Sequence, residues 1–141
     1  MMRSGSVDSE PVRAVFTSDF AVAVERRGSG KAVLILAGEL DLYRAPDVEK
    51  ALAEAGGACQ DGAEIPSHAV RHLAVDLRLV TFIDSTTLAL LLAATRRQQA
   101  QGGELHVLVG PRTPTTAFKA TGFDRLLAIR RLDDHSAESA S

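Results

Sequence analysis

LAVDLRLVTFIDSTTLALLL, residues 73–92, passes from an apolar strand through Asp84-Ser85-Thr86-Thr87 into an apolar helix. Residues 73–80 are almost continuously apolar and read as a strand. The helix after Ser85 sets Leu88, Leu91, Leu92 and Thr95 at the i, i+3, i+4, i+7 spacing of one buried face, and it ends near Gly102-Gly103. A helix starting here presents unpaired backbone N–H groups and the positive end of its macrodipole. A phosphate on a first-turn hydroxyl is stabilised there rather than repelled, which makes Ser85 a candidate switch. A plainer role competes with this one: Asp84 or Ser85 can simply cap the helix by accepting the free N–H groups of its first turn.

Upstream of that stretch, Phe20-Ala21-Val22-Ala23-Val24 alternates its larger apolar residues, and residues 32–37 form a second apolar run. Gly28-Ser29-Gly30 between them predicts an antiparallel hairpin whose second strand is central in the sheet. Val48, Leu52 and Ala55 then give a helical stripe that stops at Gly56-Gly57, and residues 58–67 read as a loop. Downstream, Leu105-His106-Val107-Leu108-Val109 is a strand stopped by Gly110-Pro111. Residues 113–120 form a short helix closed by Gly122, and residues 127–131 a last strand. The order β-β-α-β-α-β-α-β argues for an α/β domain with a mixed sheet of four to five strands and crossover helices. Residues 1–12 and 133–141, rich in Ser, Gly and acidic residues, read as mobile tails around a single domain at 13–132.

Composition narrows the function classes. At 141 residues and 45% hydrophobic, the chain can bury a core, and with 4% aromatic residues and no Trp that core is aliphatic. The scarcity of aromatics disfavours base stacking, and a net charge of −2 leaves no basic footprint for nucleic acid or anionic lipid. Cys59 is the lone cysteine, so neither an internal disulfide nor a cysteine-based zinc site can form. No apolar run reaches the roughly 20 residues of a membrane span, and no signal-peptide pattern opens the chain. The expectation is a cytoplasmic protein without cofactor, metal, direct nucleic-acid contact or membrane contact, whose partner is another protein.

Phe82-Ile83-Asp84-Ser85-Thr86-Thr87-Leu88 resembles the Asp-Ser-[Ser/Thr]-Gly-Leu signature of STAS domains, the family of bacterial anti-sigma-factor antagonists. Gly38-Glu39-Leu40-Asp41 is similar to the family's Gly-Glu-Leu-Asp turn, and Thr121-Gly122-Phe123-Asp124-Arg125-Leu126-Leu127 to its Thr-Gly-Leu-x-x-Leu-Phe segment. The resemblance implies a single STAS-like domain with an N-terminal β-hairpin. It further implies that a partner anti-sigma factor, itself a serine kinase, binds the unphosphorylated form and is released when Ser85 is phosphorylated. A metal-dependent serine phosphatase would reset the switch. Asp41, Asp84, Ser85, Thr86, Thr87 and Leu88 would then form the partner surface. Thr87 stands where the family usually carries Gly. It adds a third hydroxyl, so Thr86 and Thr87 become competing phosphate acceptors. For Asp41 a turn or helix-cap role and a partner contact both remain open.

Enzyme chemistry finds little footing. His68, His72, His106 and His135 form no His-x-x-x-His or Cys/His pattern for a metal. Ile83 and Thr87 occupy the glycine positions that a Gly-x-Ser-x-Gly nucleophile elbow requires, and no phosphate-binding Gly-x-x-x-x-Gly-Lys loop occurs. Two further readings stand beside the switch: a STAS-like scaffold or regulatory subunit of a larger signalling or transport assembly without Ser85 phosphorylation, and a small-ligand role such as nucleotide binding at the sheet edge.

Overall fold

Alternating apolar residues build the sheet in the computed structural model, which describes residues 10–16, 19–28, 30–56 and 70–132. The expected tails at 1–9 and 133–141, the loop at 58–67, Ser29, Cys59, His68 and His135 lie outside these residues. Strands β1 (Glu10–Phe16), β2 (Phe20–Arg26) and β3 (Lys31–Leu40) are followed by helix α1 (Ala45–Ala55), β4 (His72–Ile83) and α2 (Ser85–Ala100). Then come β5 (Glu104–Val109), α3 (Thr116–Thr121) and β6 (Ile129–Arg131), with 3-10 turns at Leu42–Arg44 and Phe123–Arg125.

All six strands lie in one sheet in chain order. β1, β2 and β3 are antiparallel neighbours, whereas β3 through β6 run parallel and are joined by α1, α2 and α3. Successive crossovers of one hand place every helix on the same face. There α1 packs on β2 and β3, and α2 packs on β4, β5, α1 and α3. Phe20, Val22, Val24, Leu34, Leu36, Leu73, Val75, Leu77, Leu105 and Val107 point into this layer, where they meet Val48, Leu52, Leu88, Leu91 and Phe118. Removing that aliphatic surface from water, at roughly 25 cal/mol per Å2, is what holds helices to sheet.

The mixed α/β architecture and the hairpin, now β2–β3, match the sequence expectation, with one more strand than the four to five foreseen. Glu10, Pro11 and Val12, assigned above to the tail, belong to β1. Proline cannot donate to a ladder, so Pro11 disguised the strand; an edge strand tolerates it, and the register shifts between Pro11 and Arg13. α3 starts at Thr116 rather than 113, because Thr113 is used in a turn. Its Oγ1 accepts from Gly110 N at 2.9 Å and donates to Leu77 O at 2.9 Å. Gly122, at φ +80°, closes α3 in the left-handed region as expected.

β4 outruns its predicted end at residue 80 by three residues. Two register shifts against β3 let it continue until Leu40 faces Ile83. The two parallel strands therefore finish together, and Asp41 and Asp84 are the next residues on each.

Candidate functional site

Asp41 and Asp84 each leave an extended strand and each begin a helical turn. Asp41 (φ −102°, ψ −175°) accepts a hydrogen bond from Tyr43 N–H at 3.0 Å, and its carbonyl accepts from Arg44 N–H at 2.9 Å, which winds the Leu42–Arg44 turn. Asp84 (φ −109°, ψ 176°) accepts from Thr87 N–H at 3.0 Å through Oδ1, and its carbonyl accepts from Leu88 N–H at 3.1 Å. Asp84 is thus the N-cap of α2, and the choice between Asp84 and Ser85 left open by the sequence is resolved in favour of Asp84.

Ser85 is then the first residue of α2. It is exposed, and its hydroxyl has no hydrogen-bond partner among the described residues. The site therefore offers a free nucleophilic oxygen at the positive end of a 16-residue helix. Thr86 is exposed beside it.

Thr87 and Leu88 are placed otherwise. Both are fully buried, and Thr87 Oγ1 donates to Leu40 O at 3.1 Å. Neither side chain is exposed on the surface that carries Ser85. Of the six residues expected at this surface, Asp41, Asp84, Ser85 and Thr86 reach solvent. The reason is periodicity: positions 87, 88, 91, 94, 95 and 98 form the inner face of α2, and a β-branched residue at 87 falls on it.

Sequence reasoning missed the apolar flank. Leu42 and Tyr43 are 64% and 87% exposed on the turn after Asp41, and Phe82 is 47% exposed two residues before Asp84. Leu42 and Tyr43 stand in the sequence as apolar residues outside any helical or strand period, whereas Phe82 lies within β4, opposite Glu39. The turn that carries Leu42 and Tyr43 is clamped from behind. Arg44 reaches Asp19 at 3.1 Å and Asp47 at 3.7 Å, and its guanidinium lies 5.1 Å from the centre of the Phe20 ring.

The histidines lie elsewhere. His72 at the start of β4 and His106 on β5 approach Glu104 at 3.2 and 3.8 Å on the surface, at the opposite end of the sheet from Ser85. Among the described residues no group of three or more His, Cys, Asp or Glu side chains is arranged to hold a metal ion. No helix among them is long and apolar enough to cross a membrane.

A family model described as Mlab, STAS domain, matches residues 23–129. No curated protein matches the chain. Similar solved structures include the anti-sigma factor antagonist SpoIIAA in its unphosphorylated form, 19% identical, with a TM-score of 0.63 over 84% of this chain and 94% of that one. An anti-sigma factor antagonist from Mycobacterium paratuberculosis is 22% identical, with a TM-score of 0.65 over 85% and 92%. The Bacillus cell fate determinant SpoIIAA in its phosphorylated form is 20% identical, with a TM-score of 0.58 over 84% and 97%. At such identities the likeness is one of fold.

Proposed function

The chain belongs to the STAS domain family, and from that premise we propose that it is an anti-sigma-factor antagonist switched by phosphorylation of Ser85. Its unphosphorylated form binds an anti-sigma factor that is also a serine kinase, in the cytoplasm, and so frees a sigma factor for transcription. It acts by binding rather than by catalysis. The observation that carries this reading is the exposed, unpartnered Ser85 hydroxyl at the Asp84-capped mouth of α2.

Charge supports release, rather than capture, on phosphorylation. A phosphoryl group adds a charge of about −1.5 to −2, which the helix N-terminus favours by about 0.3–1 kcal/mol, so modification leaves the fold intact. The same charge joins the Asp84 and Asp41 carboxylates beside the exposed Leu42 and Tyr43. A partner face that covers those apolar groups must desolvate the added dianion, and it is released. A metal-dependent serine phosphatase restores the hydroxyl.

The test is direct. Purified protein is incubated with ATP and the kinase-like anti-sigma factors of the same genome, and the peptides are mapped by mass. The expected outcome is one phosphate on the Ser85 peptide, absent from Ser85→Ala. Failure of every such kinase to bind or label the wild-type chain refutes the switch. Stable binding without labelling points instead to an unphosphorylated regulatory subunit.

A further inference from the structure

Thr87 makes a contact that ordinary helix packing does not require. Thr95, deeper in the same helix, returns its hydroxyl to the i−4 carbonyl, donating to Leu91 O at 2.8 Å. Thr87 instead donates across to Leu40 O, 47 residues away in sequence, at the last residue of β3. Its backbone N–H is meanwhile held by the Asp84 carboxylate. One buried residue therefore joins the cap of the Ser85 helix to the residue that precedes Asp41.

The location gives this bond its meaning. The β3–β4 ladder ends at the Leu40–Ile83 pair, and the aliphatic core lies below it. Past that pair the main chain turns away on both strands, so the Thr87 hydroxyl ties the two departing segments together where the ladder no longer does. We propose that Thr87 is a positioning residue: its hydroxyl fixes the Asp41–Arg44 turn, with Leu42 and Tyr43 upon it, relative to Ser85, and so sets the spacing that the docking kinase reads. This rests on the partner-switching reading for its consequence, but not for the coupling itself.

Three proteins test it: wild type, Thr87→Val, which keeps the shape and removes the hydroxyl, and Thr87→Ser, which keeps the hydroxyl. With the cognate anti-sigma kinase, Thr87→Val should raise KM for phosphorylation of Ser85 by about three- to tenfold, the range commanded by one hydrogen bond. Its kcat should stay within about twofold, and Thr87→Ser should recover most of the KM. Amide hydrogen exchange of the partner-free proteins gives the second readout. In Thr87→Val, exchange should accelerate at the Tyr43 and Arg44 amides, both bonded to Asp41, while the β4 amides keep their protection. Equal KM values, or exchange that rises uniformly through the sheet, overturns the proposal. Should no kinase label even the wild type, the switch reading fails on its own, and the exchange pattern alone decides whether Thr87 positions the turn.

Discussion

Asp84→Ala and Asp84→Asn separate the two ways in which this carboxylate serves α2. The alanine variant loses the acceptor that takes Thr87 N–H at 3.0 Å and also the negative charge at the helix mouth. The cap contributes about 1 kcal/mol, within a range of roughly 0.5–2, and the charge–dipole attraction about 0.3–1. The alanine variant should therefore lose about 1.5–2 kcal/mol. Asparagine keeps the acceptor and loses only the charge, so about 0.5 kcal/mol is expected. In urea, with a slope of about 2 kcal/mol per M, the midpoint should fall by about 0.8–1 M for alanine and about 0.25 M for asparagine at unchanged slope. Equilibrium unfolding followed by far-ultraviolet circular dichroism resolves that gap. Equal midpoints for the two variants would refute the capping geometry, since only the hydrogen bond distinguishes them.

Ser85→Asp should bind an anti-sigma kinase more weakly than Ser85→Ala in calorimetry, although one carboxylate carries less charge than a phosphate; equal affinities would count against electrostatic release. Tyr43→Ala, at a residue 87% exposed, should move the unfolding free energy by less than about 0.5 kcal/mol yet weaken partner binding by about tenfold or more, and unchanged binding would remove Tyr43 from the interface. Gly38 and Gly122 both sit at positive φ, but a Cβ on Gly38 would overlap the Asp19 carbonyl oxygen whereas one on Gly122 meets nothing within 4 Å. Gly122→Ala should cost about 1–2 kcal/mol from left-handed strain alone, and Gly38→Ala distinctly more. Similar melting-temperature losses would argue against the close approach of β3 to Asp19.

The sheet and its helices were legible because their signals are periodic. Val48, Leu52 and Ala55 on α1 and Leu88, Leu91 and Thr95 on α2 recur at helical spacing and are buried as that spacing requires, while Leu92, expected on the same face, is only partly buried at its edge. β1 escaped because Pro11 contradicts a strand on local grounds and only its edge position resolves the conflict. At the site, Asp84 and Ser85 were readable as cap and exposed hydroxyl, but their division of labour depends on which oxygen faces Thr87 N–H. The inward turn of Thr87 was masked by the motif around it. Three hydroxyls in a row look equivalent in sequence, and helix rotation alone sends the third beneath the surface, where Leu40 O, from a distant strand, receives it. The Leu42–Tyr43 flank was missed for a related reason: nothing local states that Arg44 will pin that turn to Asp19 and Phe20.

The chain-order arrangement of the sheet also bears on how the molecule is made. Every strand pairs with the one synthesised just before it, so each new segment leaving a ribosome finds its neighbour already in place. β3, β4 and the first turn of α2, which together assemble Asp41, Asp84 and Ser85, are all complete by residue 88. The corner that carries Ser85 can therefore assemble from segments that leave the ribosome ahead of β5 and β6. A nascent chain whose first 100 residues have left the ribosome should already hold Asp41, Asp84 and Ser85 side by side.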